Sequence, residues 1–340
     1  MLSANFQRRK TIRVSKKRAR WRDWKRSENA KKLYLPRFKD RRSRGGNTIQ
    51  KVSYQLRIPM DFSLSTNVEG VMNVVQECKR IRSTRYRSVF LDFKKVKKVG
   101  HGALTILLSA ILDFTDSRIP VIGNYPRARA ARRQLERSGF FKFLRAQTSD
   151  ENKNAPNVIL EKGANKTEQE KTAPLIRKSM KTVWGTEMKN TRLQGMMVEL
   201  MANTINHAFM TGRFKKGWYL SIDYEEAQDS VSFCFLDNGE GILKTINLKF
   251  GDRLKQLLLL SSDNILKEAF DGKFGSRTRL TNRGRGLPAV KEAFRIGAIK
   301  NLKVISNNVV FDFTSGRSKI LRTSFTGTFY YWTLDQSCKA

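Results

Sequence analysis

The sequence predicts an α/β chain in two globular units behind a strongly basic arm, and three observations carry that prediction. Strand-like and helix-like runs alternate between residues 50 and 150. A helix with a polar stripe, over 193–209, is followed by two alternating strands, a glycine turn and a glycine loop that opens another helix. The first 45 residues are dense in Lys and Arg and show no clean amphipathic period. A length of 340 residues suits two domains plus an extension. The boundaries are read as 1–48 for the arm, 49–147 for the first unit, 148–174 for a polar linker and 175–336 for the second unit.

The formal net charge is +37. In the arm, Arg8, Arg9, Lys16, Lys17, Arg18, Arg20, Lys25 and Arg26 are interleaved with Trp21 and Trp24. Cations neutralise phosphates and aromatic rings stack on bases, so these residues are candidates for a nucleic-acid contact of either type. Anionic lipid and acidic protein are the other partners such an arm suits.

In the first unit Val52–Ile58 alternates like a strand, and Val68, Val71, Met72, Val75 and Cys78 recur at helical intervals. Residues 88–93 read as a short buried strand and 103–114 as a strongly apolar helix. Residues 119–123 form the next strand, and a basic helix over 127–138 ends at Ser138-Gly139. The polar run 146–174 reads as linker.

In the second unit Leu193, Met196, Met197, Leu200, Met201, Thr204 and Ile205 mark one face of a helix. Glu199, Asn203 and His207 stand four apart on another face. A carboxylate, a carboxamide and an imidazole in one row suit a metal–phosphate site. Asn203 offers a hard oxygen to magnesium, and Glu199 can polarise a water. A solvated polar stripe would look the same. Residues 221–224 and 231–236 read as neighbouring strands, the second running into Asp237-Asn-Gly239-Glu-Gly241. There the glycines admit a close backbone approach, and a strand-end carboxylate can accept from an amine. Gly284-Arg285-Gly286-Leu287 opens a helix whose free amides favour phosphate.

In this order the three segments resemble the GHKL (Bergerat-fold, HATPase) ATP-binding family over roughly residues 175–335. The resemblance implies a sandwich of helices on a mixed sheet that binds ATP with Mg2+. It implies Asn203 as magnesium ligand and Glu199 as catalytic base, with His207 in the same box. Asp237 would contact adenine, with Gly239 and Gly241 beside it. Gly284, Arg285, Gly286 and Leu287 would form the second glycine box, and Gly327-Thr328 the closing Gly-Thr position. Residues 243–283 would form a lid, with Arg277, Arg279, Arg283 and Arg285 as phosphate contacts. The first unit is similar to STAS domains, which implies a docking or signal-receiving role toward a protein partner. Its loop 96–102 has no hydroxyl, so serine phosphorylation there is disfavoured, and His101 reads as a structural or ligand-facing imidazole.

The only histidines are His101 and His207, so the acceptor of a conventional histidine kinase is missing. The chain stops soon after its last strand-like run, which leaves the first unit, the lid or a partner to couple the nucleotide site to anything else. The expected function is a magnesium-dependent ATPase switch coupled to protein or nucleic acid. The alternatives are an anti-sigma-type serine/threonine kinase and a nucleic-acid-binding protein that senses nucleotide without hydrolysis. Dimerisation is common among such relatives. No apolar run reaches membrane-spanning length. Cys78, Cys234 and Cys338 form no metal spacing, which suits a cytoplasmic protein.

Overall fold

Alternation of short apolar strands with amphipathic helices builds the first unit. A computed structural model describes residues 53–84, 86–116, 119–140, 158–163, 167–207, 217–225, 228–246, 261–274 and 286–338. The unit runs β1 (Tyr54–Arg57), β2 (Asp61–Phe62), α1 (Val68–Ser83), β3 (Val89–Asp92), β4 (Lys98–Val99), α2 (His101–Asp116), β5 (Val121–Gly123) and α3 (Arg129–Arg137). Strands β1, β3 and β5 pair in that order, all parallel, and β2 pairs with β4 in parallel. Parallel neighbours cannot be joined by a tight turn, so a helix follows each central strand. Asn67 starts α1 by accepting from the Gly70 amide at 3.1 Å, one of the donors a helix start leaves open. Leu56, Val89, Leu91, Val71, Val74, Cys78, Leu104 and Leu107 form its core.

The second unit contains β6 (Val158–Gly163), α4 (Gln169–Trp184), α5 (Thr191–His207), β7 (Trp218–Glu225), β8 (Ser230–Asp237), α6 (Ser262–Phe270), α7 (Gly286–Arg295), β9 (Lys300–Ser306), β10 (Val309–Asp312), β11 (Arg317–Ile320) and β12 (Thr328–Leu334). Its seven strands are ordered β11-β10-β9-β12-β8-β7-β6. Every pairing in it is antiparallel, which corrects the expected mixed sheet. Four residues separate β7 from β8, short turns join β9 to β10 to β11, and β12 inserts between β8 and β9. Those two strands therefore point the same way without touching, and the parallel relation never becomes a pairing. The described residues are mixed α/β in several sheets.

The expected linker, 148–174, is also corrected. Its stretch Val158–Gly163 is an edge strand bonded to β7, and α4 already begins at Gln169. Pro174 lies inside α4. A proline in a helical pattern reads as a boundary because it lacks an amide donor, but here Thr172, Ile176, Met180 and Val183 bury the helix on both sides of it.

Strand β8 is buried at all eight positions, and the two faces of its sheet show why. Toward α4, α5, α6 and α7 it presents Phe233 and Phe235. Trp332 stacks on Phe233 at 5.3 Å and Trp218 on Phe235 at 6.0 Å. Toward the first unit it presents Cys234 and Leu236, which with Tyr219, Ile305 and Phe329 bury Val68, Met72 and Val75 of α1 and Ile106 of α2. The molecule is thus four layers: helices, the antiparallel sheet, α1 with α2, and the parallel sheet. Because α2 is covered from both sides it is apolar all round. Burying those four side chains contributes on the order of 6–10 kcal/mol gross, comparable with the net stability of a whole domain. Among the described residues no helix is long and apolar enough to cross a membrane.

Candidate nucleotide site

Helix α5 is oriented by its apolar face. Leu193, Met196, Met197, Leu200 and Met201 are buried in the core of the second unit, and Asn190 caps the start by accepting from the Leu193 amide at 2.8 Å. That anchoring leaves Glu199 and Asn203 half-buried on one flank. The Asn203 carboxamide nitrogen is buried with no hydrogen-bond partner among the described residues, a state that natural cores rarely leave without a function. The start of α7 lies against it, since a Cβ on Gly286 would fall 2.2 Å from that nitrogen. Glycine at this position leaves the space that the Asn203 carboxamide occupies. Leu287 packs on the same core. The sequence-predicted neighbours Asn203, Gly286 and Leu287 are therefore brought together. His207 ends α5, with its side chain outside the described set.

Asp237 ends β8 in phase with Phe233 and Phe235, so its side chain turns to the helical face of the sheet. It is 6% exposed. Its carboxylate accepts from the Gly239 amide at 2.9 Å and from the backbone and side chain of Thr328, its register partner on β12. Burial pushes its pKa up to about 6, and the Gly239 and Thr328 hydrogen bonds only partly oppose that rise. Gly327, at φ +111, makes this contact sterically feasible. Any Cβ there would meet the Asp237 carbonyl oxygen at 2.1 Å.

The turn after Asp237 is held by residues that the sequence reading did not single out. Asn307 donates to the Glu240 carbonyl at 2.9 Å and accepts from the Lys244 amide at 3.2 Å. Ser306 accepts from the Ile242 amide at 2.8 Å. A Cβ on Gly241, at φ +85, would collide with the Asn307 side chain at 2.5 Å. The signal available was the Asn307-Asn308 pair between two alternating runs, a hairpin turn whose first residue adopts φ 54. Glu240 is buried and pairs with Lys244 at 2.5 Å.

The span expected to form a lid, 243–283, is in part packed scaffold. Residues 242–246 form a helical turn with Leu243 and Ile246 buried. Helix α6 is anchored by Leu266, Ala269 and Phe270, and Phe270 meets Phe313 at 4.9 Å. A segment with three side chains in the core is scaffold rather than lid. Residues 247–260 and 275–285 lie outside the described set. So do Arg277, Arg279, Arg283, Gly284 and Arg285, together with Arg8, Arg9, Lys16, Lys17, Arg18, Arg20, Trp21, Trp24, Lys25 and Arg26 of the arm.

Behind the site, α1 grips the loop that leads into Gly327. Glu69 accepts from the Arg322 amide at 3.2 Å, and Asn73 accepts from the Thr323 hydroxyl at 2.9 Å. Gln76 donates to the Ser324 carbonyl, and Lys79 to the Thr326 hydroxyl. These four positions follow one face of α1 at helical spacing. At the start of α2, His101 is buried and bonded through Nε2 to Ser221 on β7, which also meets Thr105 at 2.9 Å. Asp223 lies 3.9 Å from Nδ1. Burial holds the imidazole below its ordinary value, with Asp223 opposing. His101 is therefore a structural imidazole between the units. Cys234 beside it is a buried thiol pushed up by burial, a packing group.

Neither a protein-family model nor a curated protein matches this sequence.

Proposed function

We propose that the chain binds ATP with Mg2+ at the Asp237–Asn203 face in the manner of GHKL ATPases and acts as a nucleotide-driven switch. The observation that carries the reading is Asp237. A strand-end carboxylate, buried against its own ionisation, keeps its lone pairs directed by one hydroxyl and two amides. An adenine amine is a donor of the kind such a carboxylate receives. The orphaned Asn203 carboxamide is the second support. Asn203 would hold magnesium through its oxygen once the group turns, and the start of α7 would offer amides to phosphate. Bound magnesium would offset phosphate charge. Glu199, one turn before Asn203, would accept a proton from the attacking water.

The switch part rests on α1. The first unit holds the loop 322–326, which continues into the two residues that hold Asp237, so a change at the nucleotide site reaches the first unit through a few residues of chain. Incubation with magnesium and γ-labelled ATP, beside Glu199→Ala, tests the reaction. Free phosphate that falls at least a hundredfold in the variant is the expected result. Label on a partner protein would make the kinase reading correct instead, and no retention of ATP would remove the proposal.

A further inference from the structure

The charge of the folded part is not spread evenly. Residues 167–338 hold twenty-six Lys and Arg against seventeen Asp and Glu in the full sequence, but the described residues among them hold sixteen against fifteen, so the described surface of that unit is nearly balanced. The first unit concentrates its excess in two segments. Lys94, Lys95, Lys97 and Lys98 follow β3, and Arg127, Arg129, Arg132, Arg133 and Arg137 lie on or beside α3; all nine are exposed. The segments form one surface. The Arg127 amide donates to the Lys94 carbonyl at 3.3 Å, Asn124 donates to Asp92 and accepts from the Phe93 amide, and α3 packs beside β4. Helix α3 buries only Ala131 and Leu135, so the rest of its circumference is cationic. Asp61, the register partner of Lys98, and Asp92 and Glu136 are the described carboxylates beside this surface, and Glu136 pairs with Arg132 at 2.9 Å.

We infer that this surface binds the sugar–phosphate backbone of a nucleic-acid duplex, as a second contact independent of the arm. Charge complementarity calls for a polyanion. Arg forks on a rigid helix suit phosphate oxygens, and Arg129 to Arg137 span about 12 Å, close to the width of a major groove between its flanking backbones. The choice of duplex over single strand comes from Tyr125. It is the exposed aromatic of this surface, and the Arg132 guanidinium lies over its ring at 5.2 Å. Arg132 covers one face of that ring and no second exposed aromatic lies beside it among the described residues, so successive unpaired bases find no stacking platform there. A membrane surface would need an apolar patch to insert; of the exposed large apolar side chains among the described residues only Met60 and Tyr125 lie near.

The test uses the full chain without ATP, so failure of the nucleotide reading leaves it unaffected. A patch variant (Lys95, Lys97, Arg129 and Arg133→Gln) is compared with a control variant of equal charge loss on the second unit (Lys189, Arg317, Lys319 and Arg322→Gln). Affinity for a labelled duplex of about 20 base pairs, the matching single strand and phosphatidylserine vesicles is measured against salt. If each replaced cation meets one phosphate, the patch variant's log–log salt slope on duplex falls by about 3–4, against well under about 1 for the control. Equal falls in both variants would show that net charge alone acts and would overturn the inference. So would a loss confined to single strand, or one confined to vesicles.

Discussion

Replacing Asp237 by asparagine separates stability from binding, because the two are expected to move in opposite directions. The carboxyl ionises at about 6 in the folded chain and near 3.8–3.9 when unfolded. A raised folded pKa favours the folded state below the unfolded value, and that advantage is lost as pH rises through about 6. At pH 7 the difference, about two pH units at 1.36 kcal/mol each, leaves about 3 kcal/mol against folding. At pH 4.5 the same relation leaves about 1 kcal/mol. An asparagine side chain at this position would keep one acceptor for Gly239 or Thr328 and remove the charge. Asp237→Asn should therefore be more stable by about 1–3 kcal/mol at pH 7, with the gain falling below about 1 kcal/mol at pH 4.5. Urea unfolding at the two pH values reads this. ATP affinity should fall at least tenfold, since an amide nitrogen would face the adenine amine. A variant less stable at pH 7, or a gain independent of pH, would refute the desolvation argument. Undiminished ATP binding would refute the adenine contact.

Gly286→Ala adds a methyl group 2.2 Å from the Asn203 carboxamide, so crowding of about 1–3 kcal/mol is partly offset by helix propensity of up to about 1 kcal/mol. Stability should fall by up to about 2 kcal/mol while magnesium-dependent ATP affinity drops at least tenfold; calorimetry showing wild-type affinity would detach Asn203 from the site. For His101 the folded pKa lies below the ordinary 6.5, so the unfolded chain takes the proton first and stability declines as pH falls below 6.5. His101→Gln should flatten that decline in thermal unfolding between about pH 7.5 and 5.5, and an unchanged pH slope would remove the imidazole from the balance.

How much of this was legible in the sequence follows from how local each signal is. Helix α5, β7 and β8 and the start of α7 came directly from periodicity and glycine placement, since their burial patterns repeat within a few residues. Strand β6 was hidden because Val158-Ile-Leu is brief and sits among polar residues, and its pairing with β7 spans more than fifty positions. Pro174 displaced the start of α4. Helix α6 fell within the lid that the resemblance implies between the two glycine boxes, and Leu266 and Phe270 are too few to read as core until Phe313 is seen to face them. The Asn307 clamp spans 67 residues to Glu240, a distance over which no spacing argument reaches.

The two units look separable in sequence, yet they share a sheet face, and that changes what a switch here can mean. In a protein joined only by a linker, nucleotide binding would have to act on the first unit through a new contact. Here the contact is already made on both sides of the same strands. Asp237 and Thr328 sit on the helical side of β8 and β12, and their sequence neighbours Leu236 and Phe329 bury α1 and α2 on the other. Gly102 leaves no slack, because a Cβ there would meet Phe329 at 2.8 Å and Leu64 at 2.9 Å. Close-packed layers transmit small displacements rather than absorb them. A ligand that draws Thr328 toward the helical side must therefore either tighten the interface behind Phe329 or strain the α1 grip on residues 322–326.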